Sequence, residues 1–418
     1  MTMRDAWSLR TAEPAAGTPS FEAFFSYGFR PFFLGAAVFT ALLMSIWLAF
    51  IADLAMGGSG AWLPVSGSPY AWHAHEMVFG FAAAAIAGFL LTAVPNWTGA
   101  LPLSGAPLVG LFLLWSTGRL AMAFSDLLPP LFVAAADVAF IPVLGAFAAG
   151  QLFVKPAARN LVFLALLLML FAANAAYHVA TYDFIKLDPL ELLRTGLLVV
   201  GIIIAVIGGR IIPSFTHNWL HLNCPGGPLP RRFAALDLSS IVSIVAILIA
   251  RLLDVPGQIE GAIALIATAL NAARLVLWRG WGTRREPIVW VLHAGYAWLV
   301  IALALIAASN LSPWVPASLA NHALGTGAVG LMILAVMSRA SLGHTGRRIV
   351  APAAVVGAYR LVSVAAHLRV LGPLILPQYQ GPILVLAALA WICAFSLFAV
   401  VYGPILTTPR VYAKLSRA

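Results

Sequence analysis

The segment Trp72-His73-Ala74-His75-Glu76-Met77 puts two imidazoles, a carboxylate and a thioether within six residues. Imidazole and thioether are copper ligands, and imidazole also binds haem iron. A neighbouring carboxylate can give or take protons. An apolar run of about twenty residues follows directly, long enough to cross a bilayer. This chemistry therefore stands at the mouth of a membrane span. The other histidines are His178, His217, His221, His293, His322, His344 and His367. Their value as ligands depends on which of them share a depth.

The elements that set depth are read from hydropathy. The chain has 418 residues, 62% hydrophobic and only 9% charged, against about 25% charged in soluble domains. Apolar runs recur at about 31–52, 72–94, 106–124, 130–150, 158–182, 189–208, 234–253, 257–278, 287–308, 316–338, 350–371 and 381–403. The fold class is all-α, a polytopic membrane protein with twelve transmembrane helices. Residues 1–26 form a polar N-terminal segment, 27–408 one transmembrane domain and 409–418 a short basic tail. A β-barrel needs strands of about ten residues with alternating polarity, which this pattern excludes. Residues 1–26 lack the apolar core of a signal peptide. Cys224 and Cys393 have no evident partner, and no CxxCH occurs, so any haem is held non-covalently.

The net charge of +10 does not mark a nucleic-acid binder, because Lys and Arg fall on alternate loops. With the N-terminus inside, 17 of the 24 lie on the cytoplasmic side and five on the other, with Arg274 and Arg360 within spans. The positive-inside rule then makes both termini cytoplasmic. Five histidines fall in the outer half: His73, His75, His178, His322 and His367. Four fall in the inner half: His217, His221, His293 and His344. Ionisable groups inside a membrane are costly and usually functional. Four spans placing imidazole at one outer depth point to a shared metal or haem site. The plain alternative for each is a hydrogen-bonded packing residue.

Helical spacing gives the second span a local geometry. His73 shares a face with Glu76 and Met77, while His75 points elsewhere. Gly80, Ala84 and Gly88 follow at four-residue spacing, which suits close helix packing better than a haem bed. Gly325, Gly327 and Gly330 spell GxGxxG inside a span, where no dinucleotide fingerprint can form. His75 and His322 are each followed by Gly five residues later, and by Thr-Gly at 23 and 24, a faint internal repeat. Asp137 and Glu76 are candidate proton carriers or structural acids. Asn174 lies one turn before His178. Arg360, two turns before His367, suits a haem propionate or a salt bridge with Asp137.

Inside, "GGRIIPSFTHNWLH" (208–221) leaves its span at Pro213. If 214–222 is a short helix, His217 and His221 share a face at i, i+4. With Cys224 this resembles part of a zinc site, though anchoring to headgroups explains it better. A second cofactor on His217 or His221 with His293 and His344 is the other reading.

Four segments carry a wider likeness: "YGFRPFF" (27–33), "WHAHEMVFG" (72–80), "GRIIPSFTHN" (209–218) and "LAVMSRASLGHTGR" (334–347). In this order, over nearly the whole chain, they resemble the NnrS family. That resemblance implies a twelve-helix multi-pass protein of the bacterial inner membrane. It also implies haem b and copper as cofactors, and a role in nitric-oxide metabolism and nitrosative-stress defence. His73, His75, His178, His322 and His367, with Arg360, are the candidate haem-binding set. His73, His75, His322, His367 and Met77 are the candidate copper ligands. Glu76 and Asp137 are the candidate catalytic acids. The implied reaction is reduction of NO to nitrous oxide, as in denitrification. It needs an external electron donor, a quinol or a redox protein. Membrane lipid is the other partner, and nucleic acid is not. The alternatives are a non-catalytic haem protein that binds or senses NO, and a transporter of metal, haem or a small solute. Twelve helices and a faint repeat suit the transporter; a histidine cluster on four spans suits a fixed cofactor.

Overall fold

The computed structural model describes residues 17–154 and 157–411. Residues 1–16 and 412–418, which hold most of the N-terminal segment and basic tail, lie outside the described residues. Among the described residues, twelve helices are long and apolar enough to cross a membrane. We number them α1 (Phe29–Ala55), α2 (Pro69–Thr98), α3 (Ala106–Ala123), α4 (Pro130–Leu152), α5 (Arg159–Thr181), α6 (Pro189–Asn223), α7 (Ala234–Leu252), α8 (Gly257–Leu277), α9 (Pro287–Leu311), α10 (Ala317–His344), α11 (Ala353–Ile375) and α12 (Pro377–Thr407). Proline starts α2, α4, α6 and α9, where its missing N–H has no intrahelical acceptor to lose. Gly99, at φ 77°, closes α2 in the left-handed conformation that favours glycine.

The bundle is built around three helices spaced four apart in sequence. In their most apolar stretch α2 is 83% buried, α6 72% and α10 67%, more than any other helix. These three touch one another, and the remaining helices pack around them in runs: α3–α4–α5, α7–α8–α9 and α11–α12–α1. The small-residue stripe on α2 serves that packing. A Cβ on Gly80 would stand 2.6 Å from the Phe39 ring, and one on Gly88 2.6 Å from Phe33. The glycines thus seat aromatic rings of α1. On α10, Gly327 receives Trp298 at 2.5 Å and Gly330 receives Trp391 at 2.5 Å.

Two central helices change winding at matching places. Immediately after His75, residues Glu76–Ala82 of α2 form a π-helix. Immediately after His322, residues Ala323–Val329 of α10 do the same. Each π segment is seven residues long and lies at the His73 end of the bundle. The faint sequence likeness between the two helices therefore has a structural counterpart. In α2 the Gly80 carbonyl accepts a hydrogen bond from the Trp115 indole at 3.1 Å. Wider winding frees backbone groups, which side chains from other helices must then satisfy.

One expectation is corrected here. The chain does not leave the helix at Pro213; α6 runs unbroken to Asn223, 35 residues or about 52 Å at the usual rise. Thr216 and Leu220 are buried like Pro213 itself, so the packed face continues past the proline and holds it in line. Just before it, Gly209 gives room to Arg274 of α8. Arg274 pairs with Asp237 at 2.7 Å and donates to Tyr296 Oη and the Ala205 carbonyl, each at 2.9 Å. A Cβ at 209 would lie 1.6 Å from Arg274 Nη2. Gly209→Ala must therefore displace a buried guanidinium from its acid. The expected loss is about 3 kcal/mol, the lower end for a broken buried pair. Thermal unfolding of the detergent-purified protein reads it, and an unchanged midpoint would contradict it.

Candidate functional site: a buried ionic network and a facing histidine group

At the His73 end, α2 to α5 each contribute to one buried polar network. Gly118 lets α3 approach the α4 backbone, a Cβ there standing 3.0 Å from the Ala136 carbonyl. The next residue, Arg119, thereby reaches both Glu76 and Asp137, pairing with an oxygen of each. Asp137 Oδ2 also accepts from Asn174 Nδ2 at 2.9 Å and from His178 Nε2 at 2.8 Å. His75 Nδ1 meets Glu76 Oε1 at 2.9 Å, and its Nε2 meets Asn174 Oδ1 at 2.9 Å and Asp137 Oδ2 at 3.1 Å. All six side chains are buried, His75 completely.

With Glu76 and Asp137 ionised, the hydrogen-bond inventory sets the charge of His75. Every oxygen facing the His75 ring is an acceptor, because the Asn174 amide N–H₂ is directed at Asp137. Both ring nitrogens therefore donate, as only an imidazolium can. Arg119 and His75 then balance Glu76 and Asp137, the only arrangement of unit charges a dry interior tolerates cheaply. His75, Asp137 and His178 are close enough to hold a metal ion. Their separations of 2.8–3.1 Å are hydrogen-bond lengths, and they are also close to the spacing of two donors that each sit about 2.0–2.2 Å from one ion. Within the network, Arg119 Nε is buried without a hydrogen-bond partner.

The other histidines of this end form a second group. His73 lies flat on Trp47 of α1, ring centroids 4.4 Å apart. His322 and His73 are within electrostatic reach of one another, and both of Arg369. His367 meets the edge of Trp298 at 5.0 Å. Two of these rings share a feature that matters for ligation. His322 Nδ1 donates to the Ser318 carbonyl at 2.7 Å, and His367 Nδ1 to the Ser363 carbonyl at 2.7 Å. Each ring is locked as the tautomer whose Nε2 keeps its lone pair, the state in which imidazole binds a metal. His73 Nδ1 is buried without a partner, as is the neighbouring Trp72 Nε1. Such orphaned atoms are rare and call for an explanation.

The five histidines expected together are not one cluster: His75 and His178 join the ionic network, His73 and His322 lie near Arg369, and His367 is on the exposed side of α11. Glu76 turns to its neighbour His75 and not to His73. Met77 Sδ is met by the Thr40 hydroxyl at 3.8 Å, so the sulfur faces α1. Arg360 is exposed on the outside of α11, on the same face as exposed His367 two turns away; the cation on Asp137 is Arg119. Arg119 and Arg369 were missed as site residues. For Arg119, an arginine inside an otherwise uncharged span is the available signal.

At the opposite end, the four remaining histidines do not form one site. His217 and His221 stack in parallel, centroids 6.0 Å apart, on the exposed side of α6. His293 is buried and shares a 2.8 Å hydrogen bond with Thr216. His344 packs against Tyr27 and Phe29 at 5.9 and 5.6 Å. The proposed union of His217 or His221 with His293 and His344 is therefore not made, because Thr216 and His217 face opposite sides of α6.

No curated protein sequence matches the chain. The family model described as NnrS protein matches residues 23–410, which takes in all twelve helices. The four motifs, the membrane-type bundle and this match agree: the chain belongs to the NnrS protein family.

Proposed function

We propose that this protein binds haem b and copper in the outer half of the bacterial inner membrane and reduces nitric oxide. The overall reaction is 2 NO + 2 e⁻ + 2 H⁺ → N₂O + H₂O, with electrons from a quinol or a redox protein. The observation that carries this reading is the pair His322 and His367, each with Nδ1 anchored on its own helix and Nε2 bare. The orphaned Nδ1 of His73 adds a third donor. These residues fit an imidazole-liganded cofactor, and Arg369 beside them fits a propionate. His73, His322 and His367 would hold the group; iron and copper there would supply the redox chemistry. His75 and His178 drop from the ligand set, since their nitrogens already serve Asp137 and its partners.

The chain's own residues then handle protons. The network holds its charge balance only with a proton on His75, so a proton leaving toward the cofactor group must be replaced. Glu76 adjoins both His75 and Arg119 and would pass that proton. Asp137, between His178 and His75, would pass its successor. NO is small and apolar and can enter from the bilayer. One observation favours the non-catalytic reading, a haem protein that binds NO without turnover. Both acids are already paired with Arg119, and breaking such pairs during a cycle is costly.

The test is haem and copper content of purified His73→Ala, His322→Ala, His367→Ala and His75→Gln proteins. At least one of the first three should fall below a tenth of wild-type haem, while His75→Gln keeps its haem. Unchanged content in all of the first three would falsify the assignment. Reduced, anaerobic wild-type protein given NO should evolve nitrous oxide; a bound-NO spectrum without product selects the non-catalytic reading.

A further inference from the structure

A cavity lies at the other end of the bundle, away from the histidine group. It is a chamber of about 410 Å³ between α2, α6 and α10. Its walls are mostly apolar and aromatic, with Phe89, Trp97, Phe163 and Phe215 among them. A narrower all-apolar slot of about 60 Å³ shares Phe33, Phe89, Ile207 and Val336 with it and continues along the bundle axis. Two cations face the chamber, Arg210 from α6 and Arg339 from α10. Three of the four motifs singled out in the sequence meet here: Phe33 from the first, Arg210 and Phe215 from the third, Arg339 and His344 from the fourth.

Neither arginine forms an ion pair with a described acid. Arg210 donates to Asn160 Oδ1 at 3.1 Å and to the Arg159 carbonyl. Arg339 lies over the Phe215 ring, 3.7 Å from its centroid, with Glu286 the acid whose field reaches it. Two guanidinium groups without carboxylates in an apolar chamber are expensive to keep empty-handed. An incoming anion would find little water to compete with it, and guanidinium binds carboxylate or phosphate through two parallel hydrogen bonds.

We propose that this chamber binds an acidic amphiphile, its carboxylate or phosphate between Arg210 and Arg339 and its apolar body in the chamber and slot. Both an anionic phospholipid and a free fatty acid have this chemistry. The site is independent of the histidine group at the other end, and neither assignment rests on the other.

The test uses full-length protein in non-ionic detergent, titrated with a spin-labelled stearic acid and with its methyl ester. Electron paramagnetic resonance should show saturable immobilisation of the acid and at least tenfold weaker binding of the ester. Arg210→Gln/Arg339→Gln should weaken the acid at least tenfold, and Arg210→Lys/Arg339→Lys less. Gly343→Phe keeps both arginines and has room at its Cβ, 3.7 Å from Ile349; it should block binding by filling the chamber. Organic extracts of the same proteins identify the natural occupant. Free fatty acid lost in the Gln variant names the carboxylate, and phospholipid phosphorus lost names the lipid. Equal binding of acid and ester, or binding unchanged in the Gln variant, overturns the proposal. If the Gln variant does not fold, unchanged binding by Gly343→Phe overturns it.

Discussion

Replacing Arg119 with Met is expected to cost about 3–5 kcal/mol, the loss typical of removing one partner from a buried charge pair. Arg119 is 6% exposed and serves both Glu76 and Asp137. Without it, two buried carboxylates face a single His75 cation. The methionine fills most of the space, so the loss is electrostatic more than steric. The sign reverses when the acids are removed too. Arg119→Met with Glu76→Gln and Asp137→Asn removes both carboxylates, lets His75 become neutral and should recover most of the stability, because buried ion sets are often no better than uncharged replacements. Unfolding of the detergent-solubilised variants by heat or denaturant measures both. A single variant within about 1 kcal/mol of wild type, below the range for such pairs, would show that water reaches the network.

Deleting Ile333 from the regular part of α10 is expected to lower cofactor content more than tenfold, whereas deleting Thr326 from the π segment should keep most of it. Each residue of an α-helix carries about 100° of rotation. Losing Ile333 therefore turns His322, Gly327 and Gly330 together by that angle against Met337 and Ser338, which are buried on the far side of the cut. The glycines can no longer seat Trp298 and Trp391 while the rest of the helix keeps its packing. Thr326 lies in a stretch whose i→i+5 bonding holds roughly one residue more per turn than an α-helix. Without it, Ala323–Val329 can rewind as α-helix with little net rotation, so His322 keeps its direction. Haem absorbance and copper analysis read cofactor content, with circular dichroism and gel filtration reporting the fold. Equal losses in the two variants would mean that the π segment does not absorb the missing residue.

The sequence made the helices legible because hydropathy is a property of long windows, and membrane composition leaves little room for other elements. All twelve runs became helices, and the choice of glycines for packing over a cofactor bed was right. Contacts between helices were not legible in the same way. They depend on rotation about each axis, and a π segment shifts that rotation where it occurs. Glu76 was assigned to His73 when it belongs with its neighbour His75. Depth was readable, so His178 and Asp137 were brought into view, but Arg119 was counted as a charge at a span's end. The end of α6 was misjudged because Pro213 was read by its local cost, whereas buried Thr216 and Leu220 hold the helix together beyond it.

The ionic network also has a consequence for how the chain is made. Its members arrive in order: His75 and Glu76 on α2, Arg119 on α3, Asp137 on α4, Asn174 and His178 on α5. A charged residue deep in a lone helix costs about 2.5–3.5 kcal/mol on insertion into lipid. Asp137 sits mid-helix in α4 and finds its cation only if α3 is still at hand. Release of each helix singly into the bilayer would strand these charges in turn. Helices α2 to α4 are therefore bound to leave the insertion machinery as a group, and synthesis up to Asp137 is the point at which that group first becomes electrically complete.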